Sequence, residues 1–121
     1  MTSWKKLEVK WVEHGEVPVT VYHLQGHLTN SPESYAFLDQ FQERVRKGHN
    51  RVVINLQGVD AITSAGVGIL AATYTSATNA SGRMCLAQVP DRARAILNIV
   101  GLLTVIGECA SEEEAIRRVS A

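Results

Sequence analysis

The stretch from residue 51 to residue 70 places an apolar strand directly before a helix, and this order most restricts the folds open to the chain. Residues 51–56 read Arg-Val-Val-Ile-Asn-Leu, a run without polar alternation, which is typical of a strand buried on both faces. Apolar residues that recur at steps of three and four then predict one face of a helix. They are Val67, Leu70, Ala71, Tyr74 and Ala77. A buried strand that leads into a helix favours an α/β architecture.

The predicted helix begins with two hydroxyl residues and carries two glycines in its first turns. Thr63 or Ser64 is expected to cap it, because a side-chain oxygen there accepts a hydrogen bond from an unpaired backbone amide. Gly66 and Gly68 each cost about 1 kcal/mol relative to alanine inside a helix. We therefore expect a neighbouring element or a partner to approach this backbone closely. The pair lacks the third glycine of a dinucleotide fingerprint and the lysine of a P-loop, so a phosphate-cradling loop is not indicated.

Strands alternate with helices along the whole chain, and no linker or repeat interrupts the pattern. The predicted strands cover residues 7–11, 19–24, 52–56, 84–89 and 103–106, and the predicted helices start near Ser31, Ser64, Pro90 and Ser111. This alternation implies parallel neighbours in the sheet. We predict one α/β domain over residues 1–121, with a mixed, mostly parallel sheet of about five strands and about four helices packed on it.

Several segments together resemble the STAS domain of bacterial anti-sigma factor antagonists. In that family a strand is followed by Asp-Ser-(Ser/Thr/Ala)-Gly-Leu-Gly at the start of a helix. Here Ser64 falls on the family's serine, Ala65 on the small residue after it, and Gly66 and Gly68 on the two glycines. Residues 24–29, Leu-Gln-Gly-His-Leu-Thr, are similar to the family's Leu-x-Gly-x-Leu-Asp segment. The resemblance spans about residues 9 to 119 and implies a single STAS-like domain.

The resemblance implies that Ser64 is the phosphorylated residue, with Thr63 as a secondary candidate. Thr63 and Thr29 stand where the family usually has acidic residues. The residues that the resemblance implies for partner binding lie in the two matching segments: Thr29, Thr63, Ser64, Ala65, Gly66, Val67 and Gly68.

The implied function is that of an anti-sigma factor antagonist that works by partner switching. Unmodified protein would bind an anti-sigma factor that is itself a serine kinase, and phosphorylation at Ser64 would end the binding; a serine phosphatase would reverse it. The alternative is a non-switching STAS accessory or scaffold subunit, docked on a transporter ATPase or a stress-signalling complex. In that case Thr63 and Ser64 would be direct interface contacts.

Composition argues against several other classes of protein. The chain has 12 basic and 12 acidic residues, so no net field attracts nucleic acid or an anionic membrane. No apolar run approaches the roughly 20 residues needed to cross a bilayer, so direct membrane insertion is not expected. Cys85 and Cys109 are expected to be buried, inert thiols. Without a signal peptide, a reduced cytoplasmic location is expected.

No catalytic, metal or cofactor site is predicted. The four histidines, His14, His23, His27 and His49, lack the tight spacing of metal ligands. A zinc pair at His23 and His27, near the end of one strand, is the alternative, but no cysteine or carboxylate in the sequence pattern completes it. Neither cysteine has an adjacent histidine that would activate a nucleophile, and Ser64 lacks the Gly-x-Ser-x-Gly frame of a hydrolase elbow. The chain is therefore predicted not to be an enzyme. It is expected to be a monomer or a weak dimer that associates through the exposed first strand and Trp4.

Overall fold

The computed structural model describes residues 5–121, and that part of the chain holds five strands and five helices. In chain order they are β1 (Glu8–His14), β2 (Val19–Leu28), α1 (Pro32–Arg46), β3 (Arg51–Ile62), α2 (Ser64–Asn79), β4 (Arg83–Ala87), α3 (Asp91–Ile99), α4 (Leu102–Ile106), β5 (Glu108–Cys109) and α5 (Glu112–Ser120).

The strands form one mixed sheet in the spatial order β1-β2-β3-β4-β5. β1 pairs antiparallel with β2, and the other three pairings are parallel. Helices connect the parallel strands, because such strands need a crossover that returns the chain to the same end of the sheet. This arrangement confirms the predicted α/β fold with a mostly parallel sheet.

The sheet separates two apolar cores. α1 to α4 contribute to the larger core on one face, and α5 covers a smaller core on the other. Side chains of β3 alternate between them: Ile54 and Leu56 enter the larger core and Val53 the smaller one. A strand with apolar neighbours on both faces has no polar face, which explains its continuous apolar run.

The prediction of a final strand at residues 103–106 is wrong, because this segment is the short helix α4. Leu103 and Ile106, three residues apart, are buried, whereas Val105 between them is 57% exposed. Gly101 and Gly107 bracket the helix with φ angles of 74° and 88°, in the left-handed region that glycine adopts without strain. The last strand, β5, comes after Gly107, and α4 brings the helices from the expected four to five.

The buried face of α2 differs in part from the predicted one. Leu70 and Ala77 are buried as expected, but Ile69 and Thr73 are buried with them. Tyr74 and Ala71 are only half-buried. The buried face also includes Gly66, which lies against the end of β2.

β1 is an edge strand with exposed apolar side chains. Trp11 is 44% and Val12 49% exposed, and the Arg44 guanidinium lies 3.7 Å from the centre of the Trp11 ring. Trp4, the other residue expected at a weak dimer contact, lies outside the described residues. Within residues 5–121, no helix has the length and apolar character that crossing a membrane requires.

Candidate functional site

The start of α2 is built by Thr63, which caps the helix. Its backbone is extended, and its hydroxyl accepts a hydrogen bond of 3.3 Å from the Gly66 amide. The Thr63 amide donates to the Leu28 carbonyl at 3.1 Å, so the end of β3 is tied to the end of β2. Ser64 follows as the first helical residue and is exposed. The two positions that the sequence left open for the cap are thereby assigned: Thr63 caps and Ser64 faces solvent.

The two glycines of this helix have different surroundings. A Cβ atom on Gly66 would lie 2.2 Å from the Leu28 carbonyl oxygen and 2.9 Å from Ile62 Cγ1, far inside van der Waals contact. A Cβ atom on Gly68 would meet no described atom within 4 Å, and Gly68 is exposed. The expected close approach is therefore confirmed at Gly66, where the neighbour is β2, and the backbone at Gly68 stays open to the outside.

Thr29 lies in the turn between β2 and α1. It is 9% exposed, its amide donates to Ser34 Oγ at 3.1 Å, and its hydroxyl accepts from the Ser31 amide at 3.2 Å. Ser31 in turn caps α1, because its hydroxyl accepts from the Ser34 amide. Thr29 thus helps to shape the turn that stands beside the start of α2.

Thr29 and Thr63, 34 positions apart in the chain, line one surface groove of about 370 Å³. Its walls come from the N-terminal segment, the β2–α1 turn and the cap of α2: Lys5, Lys6, Thr29, Asn30, Ser31, Glu33 and Thr63. Of the other residues expected at a partner surface, Ala65 and Val67 are half-buried and Gly66 is buried. Among these residues of the first turns of α2, Ser64 and Gly68 are therefore the exposed ones.

A group of charged side chains beside the groove was missed by sequence reasoning. Asp60 Oδ2 accepts a hydrogen bond of 2.7 Å from Lys5 Nζ, and Arg92 Nη1 donates to the Asp60 carbonyl at 3.2 Å. The hydrogen bond from Lys5 is the main reason that the pKa of Asp60 is lowered. Asp60 stands four residues before Ser64, but its partners come from the first residues and from α3. No sequence pattern joins these three positions.

The electrostatic setting of Ser64 favours an anion. α2 has no acidic residue in its first turn, so the partial positive charge of the helix N-terminus is not compensated by a neighbouring carboxylate of that turn. Within residues 5–121 the Ser64 hydroxyl has no hydrogen-bond partner among the side chains, and no histidine or carboxylate activates it as a nucleophile. The Ser64 hydroxyl is therefore exposed at the positive end of the α2 helix dipole.

His23, His27 and His49 each contact a different residue, so the structure does not bring them together at one site. His23 Nε2 lies 2.5 Å from Glu112 Oε1, and His49 Nδ1 lies 2.9 Å from Glu13 Oε1. His27 Nδ1 accepts from the Lys5 amide at 3.1 Å. Over residues 5–121, no group of three or more histidine, cysteine or acidic side chains is arranged to hold a metal ion.

Comparison with known proteins confirms the family resemblance. A family model for the STAS domain matches residues 9–115. In sequence, the chain is 28% identical over 92 residues to BtrV of Bordetella bronchiseptica, provisionally named an anti-sigma factor antagonist; the match covers 76% of this chain and 78% of that protein.

The solved structures that are similar to this one include those of two proteins. One is the anti-sigma factor antagonist SpoIIAA. Its unphosphorylated form has a TM-score of 0.69 and 20% identity, over 93% of this chain and 97% of that one. The phosphorylated form, from Bacillus, has a TM-score of 0.60 and 21% identity, over 91% and 99%. The other is a sulfate transporter family protein from Wolinella succinogenes, with a TM-score of 0.67 and 17% identity, over 84% of each chain. These likenesses support the fold.

Proposed function

Because this chain belongs to the STAS domain family, we propose that it is an anti-sigma factor antagonist that acts by partner switching under the control of Ser64. The observation that carries the proposal is the position of Ser64, the exposed first residue of α2, next to the groove lined by Thr29 and Thr63. Unmodified protein binds a serine-kinase anti-sigma factor with this surface. The partner transfers phosphate to Ser64, and a serine phosphatase removes it.

Phosphorylation weakens binding but not the fold, because the added charge is stabilised at an exposed helix N-terminus and destabilising in a buried interface. A phosphate adds a charge of about −1.5 to −2. At an exposed helix N-terminus an anion is stabilised by roughly 0.3–1 kcal/mol. Buried in an interface without a partner, it costs several kcal/mol, and each loss of about 1.4 kcal/mol weakens binding tenfold. The helix therefore survives a modification that the complex does not.

Ser64 is the preferred acceptor over Thr63 because the Thr63 hydroxyl already accepts the capping hydrogen bond from Gly66. Phosphorylation of Thr63 would disturb that cap. The open backbone at Gly68 gives the partner a place to approach α2 closely. In this function the chain has no catalytic activity of its own, binds no nucleic acid or cofactor, and works in the cytoplasm.

A second candidate function is that of a non-switching accessory or scaffold subunit, docked on a transporter ATPase or a stress-signalling complex. The likeness to a sulfate transporter family protein favours it. In that function Thr63 and Ser64 contact the partner directly, and no kinase acts on them.

The test is a pull-down from a lysate of the source organism, with bound proteins identified by mass spectrometry. The baits are wild type, Ser64→Ala, Ser64→Asp and, as a matched control, Thr75→Asp, which adds the same charge at an exposed position of the same helix. We expect wild type, Ser64→Ala and Thr75→Asp to retain a serine kinase that Ser64→Asp loses.

The retained protein is then incubated with ATP and wild-type chain, and the phosphate is mapped. Phosphate on Ser64 supports partner switching. Retention of a transporter ATPase or a scaffold protein by all four baits, without transfer of phosphate, contradicts it and identifies the second function.

A further inference from the structure

We propose that Cys85 and Cys109 form a reversible intramolecular disulfide when the protein meets a hydroperoxide. Cys85 lies on β4 and Cys109 on the neighbouring strand β5, and both side chains enter the smaller core beneath α5. Their sulfur atoms are 3.4 Å apart. A disulfide bond is about 2.05 Å long, so the two sulfurs must approach by about 1.4 Å. In the paired strands Ala87, not Cys85, lies opposite Cys109, so the bond would run diagonally between β4 and β5.

The two thiols are not equivalent. Arg118 Nη1, on the exposed side of α5, lies 3.8 Å from Cys109 Sγ, so this sulfur has a cationic neighbour, a feature of reactive cysteines. Cys85 is fully buried, and burial, with Cys109 as the next cause, raises its pKa to about 12. Cys109 is buried too, with 3% of its surface exposed, but it is the thiol with the cationic neighbour. We therefore assign Cys109 as the thiol that meets the oxidant and Cys85 as the one that resolves the product.

The reaction balances with hydrogen peroxide as the only co-reactant. The Cys109 thiolate attacks one peroxide oxygen, the O–O bond breaks, and the second oxygen leaves as hydroxide, which takes up a proton to form water. The Cys85 sulfur then attacks the sulfur of the sulfenic acid, its proton goes to the departing hydroxide, and a second water leaves. Two thiols and one peroxide thus give one disulfide and two waters, with the sulfurs oxidised and the peroxide reduced.

The bond would close a loop that reaches the candidate site. The segment between the two cysteines contains α3 and α4, and Arg92 at the start of α3 contacts Asp60 beside the groove. A cross-link restricts the unfolded chain more than the folded one. The oxidised protein is therefore expected to unfold at a higher urea concentration than the reduced protein.

The test treats the full native chain with hydrogen peroxide and follows free thiols and intact mass. We expect the thiol count to fall from two to zero with the loss of two hydrogen atoms, and dithiothreitol to restore both thiols. Tryptic digestion without reductant should yield peptide 84–92 joined to peptide 95–117. Formation of the sulfinic acid in place of this link, a link between two chains, or a link that forms only in unfolded protein would each overturn the proposal.

Three variants separate the roles. Cys85→Ala and Cys109→Ala, checked for native circular dichroism, should each lack the linked peptide; in Cys85→Ala the sulfenic acid should accumulate on Cys109 and react with dimedone. Arg118→Gln keeps both thiols and is expected to form the link roughly two- to fivefold more slowly, because it removes a positive charge near Cys109. An unchanged rate in Arg118→Gln, or dimedone labelling confined to Cys85, would overturn the assignment of Cys109 as the attacking thiol.

Discussion

Replacing each glycine at the start of α2 by alanine should move stability in opposite directions. In Gly66→Ala the new methyl group would lie 2.2 Å from the Leu28 carbonyl oxygen. Overpacking costs roughly 1–3 kcal/mol of unfolding free energy. The cost here is expected to be about 3 kcal/mol, because the methyl group would meet a backbone oxygen and not a flexible side chain. The better helix propensity of alanine offsets about 1 kcal/mol, which leaves a net loss of about 2 kcal/mol. In Gly68→Ala no described atom obstructs the methyl group, so only the propensity gain of about 0.5–1 kcal/mol remains.

Thermal unfolding followed by circular dichroism measures both effects. For a domain of this size 1 kcal/mol shifts Tm by roughly 3–5 °C, so Gly66→Ala should melt roughly 6–10 °C lower and Gly68→Ala roughly 2–5 °C higher than wild type. Both variants replace glycine by alanine in the same helix, at positions only two residues apart. Each variant therefore controls for the other. Equal shifts, or a Gly66→Ala variant as stable as wild type, would refute the close approach of α2 to β2. If the partner approaches Gly68, that variant should also bind it more weakly despite its higher Tm.

Three further predictions concern the cap, the phosphate site and the ion pair. Thr63→Ala should lose about 1 kcal/mol of unfolding free energy because the capping acceptor is removed, whereas Thr63→Ser should stay near wild type in urea titrations; equal losses would contradict the cap. Ser64→Asp should leave Tm unchanged or raise it slightly, because a first-turn carboxylate is stabilised by roughly 0.3–1 kcal/mol, while binding of the kinase measured by calorimetry falls at least about tenfold; a large drop in Tm would contradict this separation. The pKa of Asp60 is lowered in the folded state, so its stabilising effect is fully present above the unfolded value of about 3.9 and is lost as pH falls through the folded value. Asp60→Asn should therefore unfold at lower urea than wild type at neutral pH, with a difference that vanishes on acidification, and a difference that is constant with pH would count against the ion pair.

Up to α3, the order of strands and helices, and the position at which α2 begins, were predictable because they depend on local patterns. The periodicity of apolar residues, the length of an apolar run and the helix-capping residues each act within a few positions. Over residues 51–70 all three indicated a strand followed by a helix. The error at residues 103–106 has the same origin. A four-residue apolar run satisfies both a short strand and a helical turn, and the two flanking glycines with positive φ decide between them.

The candidate site was predictable only in part. Ser64, Thr63 and Gly66 were candidates because they belong to one contiguous motif, and Thr29 was a candidate through a second segment. The groove was not predictable, since Thr29 and the lysines reach it through the pairing of β2 with β3 and through the N-terminal segment. Oligomeric state and the identity of the partner stay predictions.

Local chemistry therefore accounts for the fold class and for the exposed hydroxyl at the start of α2. Contacts between distant residues account for the rest: Lys5 meets Asp60 across 55 positions, and Cys85 meets Cys109 across 24. Such pairs leave no periodic mark in the chain, because their distance is set by crossover connections and by packing against the sheet. The groove, the charge that surrounds it and the paired thiols exist only once β2, β3, β4 and β5 lie side by side.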